Sequence, residues 1–379
     1  MRRRRFISGL VGAGAGIGLV SSSGGTATGA TEATRAAAPR GLGPHDWQTV
    51  PAPACTPAAQ LLGVAAAGPG LAWAVGEEGR NGGTRGVPLA LVWDGSAWTR
   101  LDLSHLGLTG GYLRSVAASA GAAWAVGTDR GGVARLLRWD GSTWQESLFP
   151  GRLAFGTSLT GVTLDAKDRV WLSGRNSDGC VLLRGDGGDD GWTWVTPPPT
   201  PPTSAPAGVR VAPDGGVWVY DAALVARWDG ETWTELPAPA GLRPSVTGLL
   251  PVAADDIWLT GYDYGVGGPP GKPPSVTLRH WDGSAWTHAT TPFTVGMLTA
   301  IVADAQGRPD RIAGWDFWDQ TRAHYLRWDN GAWVSERGPL STAPVLLSGL
   351  ASVPGTGGYW SVGTNSSSPY PPAQVYIER

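Results

Sequence analysis

Trp93-Asp94-Gly95-Ser96-Ala97-Trp98 is the stretch on which the reading of this chain turns, because the chain repeats it. It returns as Trp139-Asp140-Gly141-Ser142-Thr143-Trp144, as Trp228 to Trp233, as Trp281 to Trp286 and as Trp328 to Trp333, with a frayed copy ending at Trp194. Asp-Gly or Asn-Gly between β-formers supplies the positive φ of a tight hairpin turn. The Trp before the turn ends one strand and the Trp after it opens the next, each a large ring suited to a half-buried sheet.

A second pattern accompanies the first: a short apolar strand, a turn, then Trp three residues before Gly. It appears as Trp73…Gly76, Trp124…Gly127, Trp171…Gly174, Trp218…Asp221, Trp258…Gly261 and Trp360…Gly363, with Arg311…Gly314 between the last two. The leading strands are Leu61–Ala66, Leu113–Ala118, Leu159–Leu164, Ala207–Val211, Val246–Val252, Leu298–Ala303 and Leu347–Ser352, each with a small residue near its start. Small residues suit the innermost strand at a crowded axis. A period of roughly fifty residues built on a hairpin is the signature of a β-propeller blade.

Seven leading strands stand against six outer strands, opening at Trp98, Trp144, Trp194, Trp233, Trp286 and Trp333. The seventh repeat ends on Gln374-Val375-Tyr376-Ile377, its third strand. Asp46-Trp47-Gln48-Thr49-Val50-Pro51 matches Glu231-Thr232-Trp233-Thr234-Glu235-Leu236 in pattern, so it is expected to supply the missing outer strand and close the ring. Closure of that kind removes two free sheet edges. The fold expected is all-β: a single seven-bladed propeller over 45–379, four antiparallel strands per blade.

With these motifs the chain resembles the seven-bladed propellers of secreted bacterial proteins in the broad kelch, Asp-box and streptogramin-lyase-like superfamily. The resemblance covers the chain beyond its first forty residues and implies an architecture, not an activity. Asp165, Asp214 and Asp304 resemble turn aspartates that are structural in the streptogramin-lyase-like group, whose His/Glu catalytic set has no counterpart to place here. A galactose-oxidase-like copper site would need a Cys–Tyr cross-link, and neither cysteine lies in a matching context. Sialidase-like Asp boxes separate Asp from Gly, whereas here the two are adjacent.

Residues 1–38 read as an export signal. Arg2 to Arg5 form a charged start, Phe6 to Val20 a Gly-diluted apolar core, and a small-residue tail runs through Ala30 and Ala38. Arg3-Arg4-Arg5-Phe6-Ile7 is similar to the twin-arginine pattern, with a Sec signal as the alternative. The apolar core is too short and polar to span a bilayer. A secreted protein without membrane insertion is expected. Beyond residue 38 the chain carries 24 basic and 30 acidic residues, a net of −6 that does not invite nucleic acid or anionic lipid. Two cysteines in an oxidising compartment invite a disulfide, with the placement of Cys55 and Cys180 two blades apart weighing against one, since a bridge reaches only ~7 Å.

Strand order gives the ring two faces. Turns between first and second and between third and fourth strands lie on one, and are short. Loops between second and third strands, and the crossovers between blades, lie on the other. The longest loops of this variable face are Glu77–Val87, Tyr262–Pro274, Trp315–Ala323 and Thr364–Pro372. Variable loops on a rigid scaffold are where binding resides.

The repeat accounts for 18 of the 21 tryptophans and leaves Trp192, Trp315 and Trp318. Trp315-Asp316-Phe317-Trp318-Asp319 and, across the blade boundary, Tyr262-Asp263-Tyr264 alternate aromatic rings with carboxylates. Rings stack on the C–H faces of sugars and carboxylates accept from hydroxyls, so these residues are the candidate ligand site; a cation, a peptide or loop packing would use the same groups. Arg114, Arg175 and Arg322 could face the channel. Of the histidines, His105 and His324 fall on the variable face, and no pair has metal-ligand spacing. Asp221 and Arg311 break the repeat, and such departures can mark function.

The function expected is a monomeric, secreted, non-catalytic binding propeller without metal or cofactor, recognising a glycan, an envelope polymer or a small molecule. The alternative is an exported hydrolase or lyase acting at the variable-face mouth of the channel, for which no catalytic residue is assigned.

Overall fold

The computed structural model describes residues 43–148, 157–177, 179–186, 191–198, 206–237, 245–265, 272–366 and 373–379. The export signal read in residues 1–38 lies outside them, as do 266–271 and 367–372 of the long loops. Seven antiparallel sheets form a ring, six with four strands in sequence order and a seventh with three. The first strands, from Gln60–Gly68 to Val345–Ser352, neighbour one another in succession, and the last neighbours the first. This is the all-β seven-bladed propeller expected.

The fourth strand of blade seven comes from the N-terminal side. Gln48 N–H donates to the Arg379 carbonyl (2.8 Å), Arg379 N–H returns a bond to Gln48 (2.9 Å), and Val50 N–H donates to Ile377 (2.9 Å). The edges that an open ring would leave unpaired are therefore closed on each other.

The repeated hairpin works as a side-chain-capped turn. Gly95 takes the positive φ of 97°, while Asp94 Oδ1 accepts from the N–H groups of Ser96 (2.8 Å) and Ala97 (2.9 Å). These bonds hold the exposed Asp94 carboxyl down at about 2. Trp93 pairs with Trp98 across the turn. The second-strand Trp of each regular blade then packs on the hairpin pair of the next. Trp73 meets Trp139 and Trp144 at 5.5 and 6.3 Å, Trp258 meets Trp328 and Trp333 at 5.1 and 5.5 Å, and Trp360 meets Trp93 and Trp98 at 4.8 and 4.9 Å. Edge-on aromatic pairs of this kind add about 0.5–1.5 kcal/mol each beyond area burial. The tryptophans are the glue between blades.

Blade three corrects the reading of Trp194. Its outer strand is Trp192–Trp194, with Gly185 opposite Trp192 and Leu183 opposite Trp194. The buried ring that meets Trp124 (5.8 Å) is Trp192, and Trp194 is 48% exposed. The physical reason is space. A Cβ on Gly185 would lie 2.6 Å from the Trp192 ring, so glycine opens the place that the hairpin's first Trp fills elsewhere.

Blade six explains Arg311. No hairpin Trp pair faces it, because blade seven closes with a separate strand. Arg311 is fully buried, pairs with Asp310 (2.7 Å) and Glu336 (3.4 Å), and donates to the Gly43 carbonyl (2.8 Å). Glu336 also accepts from the Trp47 indole (2.6 Å) and the His45 N–H (3.2 Å). Arg311 therefore fastens the closing strand, which is a structural role.

Candidate ligand-binding face

Each first strand starts at the variable face and runs toward the turn face. Six large hydrophobic residues are exposed among the described residues, and Val133, Leu148, Tyr264, Trp318 and Leu340 all sit in second-to-third-strand loops or crossovers. The sixth, Trp194, is on an outer strand. The apolar exposure of the ring is thus gathered on the variable face.

The eight candidate residues divide between support and surface. Trp318 is 77% exposed and Tyr264 54%. Phe317 stands edge-on to Trp318 (5.0 Å) and to Trp315 (5.8 Å), while Tyr262 and Tyr264 form their own edge-on pair (5.6 Å). The carboxylates are occupied by the fold. Asp316 is buried, pairs with Arg337 (2.9 Å) and accepts from the Trp318 N–H (3.0 Å). Asp319 pairs with the other arm of Arg337 (3.4 Å) and accepts from Thr321 (3.1 Å), and Asp263 accepts from the Gly265 N–H (2.7 Å). A carboxylate in the second place of a tight loop finds the loop's own N–H groups before it finds a ligand. The loops that carry the two segments are linked through the start of blade six's first strand: Phe317 N–H donates to Val295 (3.1 Å), and Gly296 N–H donates to Pro274 (2.8 Å).

The central channel, about 1540 Å³ in volume, is lined by all seven first strands, and of the eight candidate residues it takes in Tyr262 alone. A β-bulge interrupts the first strand of every blade except the fourth, and it turns one extra side chain inward. Those residues are Leu62, Arg114, Thr160, Thr247, Thr299 and Ser348, and all six line the channel. The bulge also explains the second-strand glycines. A Cβ on Gly76, Gly127 or Gly261 would lie 1.9, 2.1 and 2.1 Å from a first-strand carbonyl oxygen. Blade four has no bulge, so Asp221 fits where glycine is otherwise required and comes to line the channel mouth.

Arg114 faces the channel as expected, whereas Arg175 and Arg322 are not among its lining residues. Sequence reading missed Arg85, Tyr112 and Arg210, which also line it. Arg85 lies 4.3 Å over the Tyr112 ring and pairs with the buried Glu77 (3.1 Å). Asp221 had a signal, the broken repeat; the others had none. Both retained histidines are structural. His105 Nε2 bonds the Trp144 carbonyl (2.8 Å), and His324 is buried, stacked on Phe293 (4.2 Å) and bonded to Ser335 (2.8 Å). Cys55 and Cys180 are free, their thiols pushed up by burial to about 11 and about 12. Asp165, Asp214 and Asp304 accept turn N–H groups, in keeping with a structural role. Among the described residues no three His, Cys, Asp or Glu side chains gather to hold a metal, and no helix is long and apolar enough to cross a membrane.

No protein-family model and no curated protein sequence matches the chain. Solved structures do. YCF48 from Cyanidioschyzon merolae is 16% identical, with a TM-score of 0.57 over 88% of this chain and 98% of that one. YCF48 bound to D1 peptide is 12% identical, with a TM-score of 0.58 over 89% and 98%. A catalytically inactive virginiamycin B lyase from Staphylococcus aureus with quinupristin is 14% identical, with a TM-score of 0.58 over 88% and 98%. At these identities the likeness is one of fold alone: the chain is a seven-bladed β-propeller.

Proposed function

We propose that this is an exported, non-catalytic binding propeller that recognises a glycan or cell-envelope polymer through its variable face. One observation carries the reading: the exposed large apolar side chains collect on that face, with Trp318 77% exposed in the second-to-third-strand loop of blade six. A flat ring offered to solvent costs contact with water and gains it back when a sugar's C–H face covers it. The platform is rigid, since Phe317 braces Trp318 and Arg337 ties both aspartates of the loop. Rigid presentation lowers the ordering cost of binding. Propellers of the same fold hold a D1 peptide and quinupristin, so the architecture suits ligands of several kinds.

A glycan array read with wild type, Trp318→Ala and Tyr264→Ala tests the proposal. Binding is expected in wild type and lost in Trp318→Ala with unchanged thermal unfolding. Binding intact in both variants sinks it, and turnover of the captured polymer would favour the hydrolase or lyase reading. Export rests on the first residues alone; Arg3→Lys with Arg4→Lys should keep the protein inside cells if the twin-arginine route is used.

A further inference from the structure

The central channel holds positive charge that the fold does not need. Many arginines elsewhere among the described residues are matched to acids, as Arg169 with Asp165 (2.7 Å), Arg227 with Asp214 (2.8 Å), Arg308 with Asp304 (2.6 Å) and Arg337 with Asp316 (2.9 Å), while Arg138 and Arg184 lie over tryptophan rings. Arg114 is exposed in the channel and has no hydrogen-bond or ion-pair partner among the described residues. Arg210, deeper in the channel on blade four at the place that Ala117 holds on blade two, donates only to the Val209 carbonyl (3.0 Å). Arg85 adds a third guanidinium at the mouth, where it shares the single buried carboxylate of Glu77 with Arg80 (3.1 and 3.2 Å), two positive charges against one negative.

The carboxylates that line the same space are already engaged. Asp221 accepts from the N–H groups of Ala223 (2.6 Å) and Leu224 (2.7 Å). Asp304 lies at the far end with Arg308. The Arg114 position itself shows that its charge is not structural. The equivalent bulge residues are Leu62, Thr160, Thr247, Thr299 and Ser348, so a neutral side chain forms the bulge equally well. Low-dielectric walls around an unmatched cation focus its field along the channel and draw anions.

We propose that the channel binds the anionic group of an acidic saccharide, with the carboxylate of a uronate-type residue held by Arg114 and guided by Arg85 at the mouth and Arg210 below. Guanidinium takes a carboxylate in two parallel hydrogen bonds, which fixes its orientation. A saccharide suits the remainder of the wall, where Thr160, Thr247, Thr299 and Ser348 hold the bulge places equivalent to Arg114; the threonine hydroxyls donate to the carbonyls of Ser173, Leu298 and Ala313 and keep lone pairs that accept from a sugar hydroxyl. The volume of about 1540 Å³ exceeds the 300–1,000 Å³ of ordinary small-molecule pockets and admits more than one sugar ring. The anion site stands on Arg114; its saccharide identity rests on the reading of the variable face.

Calorimetric titration with trigalacturonic acid and with its neutral methyl ester separates the two. Wild type should bind the acid in a salt-sensitive manner, and Arg114→Gln should weaken it by about tenfold, the scale of one charge-assisted contact. Arg114→Lys should recover part of the loss, and thermal unfolding should stay unchanged in both. The ester should bind wild type and Arg114→Gln alike. Equal binding of acid and ester, or an acid affinity indifferent to Arg114→Gln, overturns the anion site while leaving the ring platform standing. If neither saccharide binds, the saccharide assignment fails, and inorganic phosphate titrated against protein carrying ¹⁵N-arginine decides the anion site: an unmoved Arg114 side-chain signal overturns it. A peptide with a free C-terminal carboxylate that binds through Arg114 more tightly than the saccharide replaces the assignment.

Discussion

Trp47 lies flat on Tyr325, ring centroids 3.7 Å apart and planes within 4°. The first residue comes from the closing strand and the second from the third strand of blade six, so this stack seats the closing strand of blade seven against its neighbour. Trp47 is 3% exposed and its indole donates to Glu336. Trp47→Ala should cost about 3–5 kcal/mol, the usual price of emptying a large aromatic site. Urea unfolding should show a lower midpoint, and the Arg379 amide, which bonds to Gln48, should exchange faster.

Restoring the repeat at blade six should fail. Arg311→Trp supplies the residue found at this place in the other blades but strips Asp310 and Glu336 of their buried counter-charge. Breaking one side of a buried pair costs about 3–5 kcal/mol. A fall in melting temperature comparable with that of Arg311→Ala is expected; a rise would overturn the clamp.

His324 should make stability depend on pH. Burial, with Arg337 beside it, pushes its imidazole down to about 4. An unfolded histidine titrates near 6.5, so between the two values the unfolded chain takes up a proton that the folded one refuses. Stability is therefore full above about pH 6.5, declines as pH falls toward 4 and levels off below, a loss on the order of 3 kcal/mol from this group. Asp310 and Glu378, raised by burial, act in the opposite sense. Melting temperature against pH for wild type and His324→Gln isolates the histidine: the variant should lose about one proton's worth of slope in that window.

Gly127→Ala and Asp221→Gly should differ sharply. A Cβ at Gly127 would lie 2.1 Å from the Tyr112 carbonyl oxygen, and backbone has little room to yield. The cost expected is about 3 kcal/mol. Asp221→Gly removes two turn hydrogen bonds in a blade without a bulge and should cost about 1 kcal/mol. Denaturant midpoints of the two variants check the pair.

Blade number, strand order and ring closure were legible in the residues, because each rests on local chemistry. Asp94 and Gly95 make a turn wherever they occur between β-formers, and Trp47 announces an outer strand by the company it keeps. The variable face was legible from loop length, and exposed Trp318 and Tyr264 lie on it. Register was not legible. The strand Trp192–Trp194 is three residues long, and only the space left by Gly185 decides which ring turns inward. Asp316 reads as a ligand group until Arg337, from another strand, takes its carboxylate. Arg114 faces the channel through a bulge, a mismatch of one residue against the neighbouring strand that alternation along a single strand cannot express. What the sequence determined by itself was every feature held by neighbours in the chain; what the tertiary structure decided was which side chains remain free of partners, since that depends on groups brought together across blades.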